Sequence, residues 1–246
     1  MKRLDFWRHH LLLPLGLGLA LFATTIAWSY DHVLGHAFYA QNHWIGSDYW
    51  WVNAVLHRAA QRSVIAIGLL AIAALLASRW IEPLRRWRRP LAYFTSNMAI
   101  ATGLVALLKS WTGVPCPWSL QEFGGPVAAA TLLDAFRSDP NGGCFPAAHA
   151  ACGYSFFSLY FLLRDTRPRL APLGLLAALA LGLTFGIAQQ ARGAHLVTHD
   201  IASALLCWLV AAVLYGTAFK GDVAPARKQP GSDQPGSPSP AGLTNR

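Results

Sequence analysis

Stretches of nearly twenty apolar residues recur along this chain of 246 residues. A bilayer's hydrocarbon core takes roughly twenty helical residues to cross. Within it only a helix or a closed barrel pairs every backbone N–H and C=O. Six such stretches are read here as helices, at about 11–29, 62–78, 91–108, 147–163, 170–188 and 200–219. The second and fifth are the clearest, while the fourth, AAHAACGYSFFSLYFLL, is less apolar and carries a histidine near its start. Composition agrees: 54% of residues are hydrophobic and only 13% charged, against about a quarter charged in a soluble domain. The expectation is an all-α integral membrane protein with six transmembrane helices forming one domain over 1–220. Residues 221–246, rich in Pro, Gly and Ser, have the composition of a disordered cytoplasmic tail. No repeat of solenoid length is present.

A net charge of +9 invites a nucleic-acid reading, but the placement of the basic residues argues against it. In a six-span arrangement 15 of the 20 Lys and Arg fall before the first helix, in the second and fourth connections, or after the last helix. Only Arg58, Arg62, Lys109, Arg137 and Arg192 fall on the other side. This positive-inside asymmetry puts both termini in the cytoplasm and makes anionic headgroups, not nucleic acid, the partner of the charge. The flank of the first helix, FATTIAWSYD, has only a weak cleavage pattern, so that helix reads as an uncleaved anchor.

Three outer segments follow from this topology. The first, 30–61, carries Trp44, Trp50 and Trp51, aromatics suited to the headgroup level. Its histidines, His32, His36, His43 and His57, have no convincing ligand spacing and read as ordinary surface groups. The second, 109–146, is rich in Gly, Pro and Trp, and the third, around 189–199, reads QQARGAHLVTH.

Polar groups at membrane helix ends are costly, so a cluster of them is a functional hypothesis. Lys109 ends the third helix, His149 begins the fourth, and Arg192, His195, His199 and Asp200 lie between the fifth and sixth. All fall at one face. Taken singly, Lys109 reads as a snorkelling lysine, His149 as a packing residue, and the His195/His199 spacing as one that also suits zinc. Together, two cations and paired histidines describe an anion site with a nucleophile and an acid, the needs of phosphoryl transfer.

These residues also carry a family resemblance. Lys109 followed after six residues by Cys116-Pro117, then Pro146-Ala147-Ala148-His149, then His195 with His199 four residues on, resemble the three motifs of the type 2 phosphatidic acid phosphatase superfamily over about 105–220. The departures are specific. Cys116 stands where the family has Arg, Ala147 and Ala148 where it has Ser-Gly, Ala188 and Gln189 where it has Ser-Arg, and His199 where it has Asp. The segments CPW, GGCFP-x-x-HA and RGAH-x-x-x-H are similar to those of a divergent branch of the same superfamily.

The resemblance implies His195 as a nucleophile forming a phosphohistidine and His149 as general acid and then base. It implies Lys109 and Arg192 as phosphate ligands, with backbone N–H groups of Ala147 and Ala148 adding donors at a helix start. His199 or Asp200 would support the nucleophile, and neither metal nor cofactor is required. The substrate would be a lipid phosphate at the periplasmic face of a bacterial inner membrane: a polyprenyl pyrophosphate, phosphatidylglycerol phosphate, phosphatidate or lipid A phosphate. Phosphotransfer between lipids is an alternative with the same intermediate. A metallohydrolase using His195 and His199, and a lipid transporter without chemistry, are the rivals from other classes.

Two further expectations depend on this arrangement. Cys116 and Cys144, both in the second outer segment and in an oxidising compartment, are expected to form a disulfide contributing roughly 3 kcal/mol. Cys152 and Cys207 fall within spans and read as packing residues. Arg192, three residues after Gln189, shares a helical face with it and would supply the displaced guanidinium.

Overall fold

A computed structural model describes residues 3–27, 29–128, 132–139 and 142–219; the expected tail, 221–246, lies outside them. The described residues are mostly helical. The helices used below are α1 (Leu4–Ala27), α2 (Tyr30–Phe38), α3 (Val52–Ala77), α4 (Arg88–Thr112), α5 (Ala148–Tyr154), α6 (Ser158–Arg164), α7 (Ala171–Ala191) and α8 (Val197–Leu214). The described sheet is one antiparallel pair, β1 (Tyr39–Ala40) with β2 (His43–Trp44), in the connection after α2.

Five helices are long and apolar enough to cross a membrane: α1, α3, α7 and those beginning at Arg88 and Val197. The chain is a multi-pass membrane protein. Along α1 and α3 the apolar side chains point mostly outward, as with Leu17, Leu21, Leu69 and Leu70. Such faces fit lipid, which matches their apolarity on all sides. The helices start earlier or run longer than the apolar runs suggest: α3 begins at Val52 rather than 62, and α8 at Val197 rather than 200. A helix propagates through polar residues at its ends where they find partners, which the apolar count cannot register.

The fourth expected span differs in kind. Residues 148–164 are helical throughout, but α5 and α6 are joined by a 3₁₀ turn at Ser155–Phe157. At 17 residues this segment is shorter than each of the five. The break has its own partners. Changing the hydrogen-bond pattern leaves backbone groups in need of partners, and in a membrane these must come from the protein. Asn97 of α4, fully buried, donates its amide to the Ser155 carbonyl at 2.7 Å. Ser155 donates to the Cys152 carbonyl at 2.8 Å.

Small residues bring the central helices together. A Cβ at Gly153 of α5 would lie 2.4 Å from the Gly182 nitrogen of α7, and a Cβ at Gly182 would strike the Tyr154 ring. Two glycines therefore set this crossing, as expected where packing rather than water drives helix association. The buried core gathers Tyr93, Ala101 and Val105 of α4 with Ala150, Ala151, Phe161, Phe185 and Ala211.

The two ends of the bundle differ. At one, Arg164 packs over Phe6 and Tyr215 and bonds His10 at 3.0 Å, joining the end of α6 to the start of α1 and the segment after α8. At the other lie the C-terminal ends of α4 and α7 and the starts of α5 and α8, with the connection from α2 to α3 packed against them. The polar residues read from the sequence are at this second end.

Candidate active site

Lys109 stands one turn before α4 ends, and the helix stops at Gly113, whose φ of +57° takes the chain out of helical geometry. The returning strand of loop lies against it: the Cys144 N–H donates to the Val114 carbonyl at 3.0 Å, and a Cβ at Gly143 would sit 3.7 Å from Lys109 Cε. Cys116 and Cys144 are joined in a disulfide with their Cα atoms 5.1 Å apart. This cross-link ties the end of α4 to the segment that introduces α5. His149, in the first turn of α5, is half-buried, and its Nε2 is buried with no hydrogen-bond partner among the described residues. Lys109 and Arg192 are within electrostatic reach of it.

The connection from α7 to α8 is a tight turn. The N–H groups of Gly193 and Ala194 donate to the carbonyls of Gln190 and Gln189, both at 2.9 Å, and Gly193 has φ +71°. The Trp44 ring lies where a Gly193 side chain would go, so only glycine fits here. This turn points Arg192 back along its own helix, where Nη1 donates to Gln189 Oε1 at 2.9 Å. It also delivers His195, whose Nδ1 lies 3.5 Å from Nδ1 of His199. Both rings are buried.

Burial holds the pKa of His195 well below the ordinary histidine value, and His199, Lys109 and His149 add to the effect; a hydrogen bond with the Cys144 backbone opposes it. The ring is therefore neutral near pH 7, the form in which a ring nitrogen has a lone pair. Burial also lowers the pKa of Arg192, though an arginine starts too high to lose its charge.

The structure thus brings Lys109, His149, Arg192, His195 and His199 to one end of the bundle. Asp200 is placed differently. One residue beyond His199 on α8, it is turned to another helix face, where Oδ2 accepts from Gln190 Nε2 at 2.5 Å and packs against Gly186. Ala147 differs too: its N–H donates to the His199 carbonyl at 3.2 Å, so it serves the packing of α5 on α8.

Three contributors fall outside the site residues expected from the sequence, although Gln189 stands at the family's arginine position. His57, read as a surface group, packs its ring against that of His149 with centroids 4.2 Å apart and accepts at Nδ1 from Gln189 Nε2 at 2.8 Å. The other three histidines of its segment are at the surface, His32 and His36 on Glu122 and His43 on Asp48. The apolar run expected at 62–78 gave no signal for His57; the structure extends that helix back to Val52 and so takes it in. Gln189 is fully buried and links His57 to Arg192. Asp31 of α2 caps α8 from outside: Thr198 donates its N–H to Oδ1 at 2.9 Å and its hydroxyl to Oδ2 at 2.5 Å. Among the described residues no three His, Cys, Asp or Glu side chains are grouped to hold a metal ion.

A sequence model of the PAP2 superfamily matches residues 90–221, more than half of the chain. The chain belongs to the PAP2 superfamily. Members of the PAP2 superfamily are phosphatases, so the chain is a phosphoester hydrolase of membrane type. The matched stretch runs from α4 to the end of α8, and contains Lys109, His149, Arg192, His195 and His199. His57 and Asp31 lie outside it. No curated protein and no solved structure matches the chain.

Proposed function

We propose that this PAP2 protein hydrolyses a phosphate or pyrophosphate from a lipid at the periplasmic face of a bacterial inner membrane, through a phosphohistidine on His195. The observation that carries this reading is the meeting of Lys109, His149, Arg192, His195 and His199, from three separate segments, within the family-matched stretch. His195 Nδ1 faces His199, and we assign the attack to Nε2, the ring's other nitrogen. Its lone pair forms the N–P bond as the bond from phosphorus to the lipid oxygen breaks, and His149 gives that oxygen its proton. His149 then takes a proton from water as the water oxygen displaces His195 and phosphate leaves. Lys109 and Arg192 hold the phosphate oxygens, Arg192 in a two-pronged contact. The Ala148 N–H adds a backbone donor at the start of α5. His199 orients the nucleophile, in the place of the carboxylate in the family pattern.

Six crossings fit this reading better than five. Cys144 and His149 are at the Lys109 end, while Arg164 is at the end with Phe6 and Tyr215. Residues 148–164 therefore run from one end to the other, and 17 helical residues cover about 25 Å. The basic connections then share one side with the termini, which the positive-inside rule makes cytoplasmic.

The test is phosphate release by the purified full chain from a panel of polyprenyl pyrophosphate, phosphatidylglycerol phosphate, phosphatidate and lipid A, with and without a chelator. Release that resists chelation and vanishes in His195→Gln is expected, with acid-labile phosphate trapped on His195. A folded protein that releases no phosphate from any of the four overturns the reading.

A further inference from the structure

The amide of Gln189 fixes the protonation of a histidine that lies outside the family-matched stretch. A guanidinium has hydrogens to give and no acceptor, so the Gln189 atom 2.9 Å from Arg192 Nη1 is its carbonyl oxygen. The other atom of that amide is then the nitrogen, and it faces His57 Nδ1 at 2.8 Å. An amide NH₂ only donates, so His57 Nδ1 is an acceptor and the neutral ring carries its proton on Nε2. Among the described residues Nε2 of His57 has no hydrogen-bond partner. The ring lies 4.2 Å from that of His149, centroid to centroid, tilted by 31°. His149 Nε2, beside it, is buried and also without a partner.

We propose that His57 is a phosphate-binding residue of the site, donating its Nε2–H to an oxygen of the lipid phosphate next to His149. The inference rests on the phosphatase reading above and extends its binding set to the segment before α4. A neutral donor suits this position. It adds a contact to the phosphate without adding positive charge to a cluster that already holds Lys109 and Arg192. Arg192 thereby acts twice, through its own guanidinium and by fixing the amide that orients His57. Such a donor matters most where charge builds on the oxygens in the transition state, so its loss falls on kcat.

Three substitutions in the full chain separate the donor from the ring. His57→Phe keeps the ring against His149 and lacks the donor. His57→Gln lacks the ring and places an amide N–H near the position of Nε2. His57→Ala lacks both. With phosphatidate and a polyprenyl pyrophosphate in detergent micelles as probes, His57→Phe and His57→Ala are expected to lose about a hundredfold in kcat, and His57→Gln to recover most of it. The ¹⁵N spectrum of the His57 ring in wild-type protein is expected to show Nδ1 unprotonated and Nε2 protonated. Near-wild-type turnover in His57→Phe, a His57→Gln no better than His57→Ala, or the opposite tautomer overturns the assignment. A wild type that releases no phosphate overturns the phosphatase reading and this inference with it; an active wild type matched by His57→Phe overturns this inference alone.

Discussion

Arg192 illustrates how a single residue answers to both chemistry and geometry. Its guanidinium donates to Gln189 from a half-buried position and has further N–H groups for phosphate. A lysine at the same position offers one compact charge, which cannot hold the amide and two phosphate oxygens together. Arg192→Lys is therefore expected to lose roughly a hundredfold in kcat, as Arg192→Ala does, about 2–3 kcal/mol of transition-state stabilisation. Lipid phosphatase rates with full turnover in both variants would leave Lys109 as the cation that binds. His195 makes a second residue-scale prediction, on stability. Its folded pKa is depressed, chiefly by burial, so below the ordinary value near 6.5 the unfolded chain takes up a proton that the folded chain refuses. Stability from this group is full above that pH and declines as pH falls. The melting temperature in detergent should drop between pH 7.5 and 5.5, and drop less in His195→Gln. Equal slopes would show that His195 does not titrate in the unfolded chain alone.

At the scale of elements, α8 begins with a cap that its own sequence lacks. The residue before it, Leu196, offers no side-chain acceptor, and the first N–H groups of a helix need one. Asp31 of α2 supplies it across 167 positions of sequence. Burial raises the pKa of this carboxyl, while the two Thr198 bonds pull it back. The acceptor matters here more than the charge. Asp31→Asn, which keeps an oxygen for the Thr198 N–H, should cost less than about 1 kcal/mol, whereas Asp31→Ala strands two buried donors at about 1–3 kcal/mol. Because α8 carries His199 in its first turn, the alanine variant should also lower turnover. Denaturation in detergent micelles checks the order, and an asparagine variant as unstable as the alanine one would make the charge itself the cap. The disulfide works at the same scale, tying together the two ends of the loop that connects Lys109 of α4 to His149 of α5.

For the whole molecule, the consequential quantity is the number of crossings, since one more or one fewer moves the C-terminus across the membrane. Fusions of a compartment-sensitive reporter after Lys220 should report cytoplasm, and fusions within 120–140 the periplasm. The motive is the common placement of the basic connections at the end away from Lys109. The reverse pattern, fusions after Lys220 reporting periplasm and those within 120–140 cytoplasm, would put the phosphate site against the other leaflet from the one proposed; periplasm at both places would mean that residues 148–164 do not cross.

The amino-acid sequence by itself determined that this chain is a membrane bundle, because runs of apolar residues leave the backbone no other way to be paired in lipid. It also carried the family, since Lys109, His149 and His195 keep their order and spacing whatever the surrounding residues do. It pointed to Cys116 and Cys144 through their shared segment. Only the tertiary structure decided which polar residues meet. Neighbours on a helix are about 100° apart, so His199 faces His195 while Asp200, one position on, faces Gln190. The break at Ser155 is tolerated because Asn97 arrives from another helix. His57 and Asp31 reach the site from a segment whose composition reads as surface, since a contact between residues 132 or 167 positions apart leaves no local pattern in the chain. Periodicity and spacing report what a residue does within its own helix; which groups face one another across helices is settled by packing.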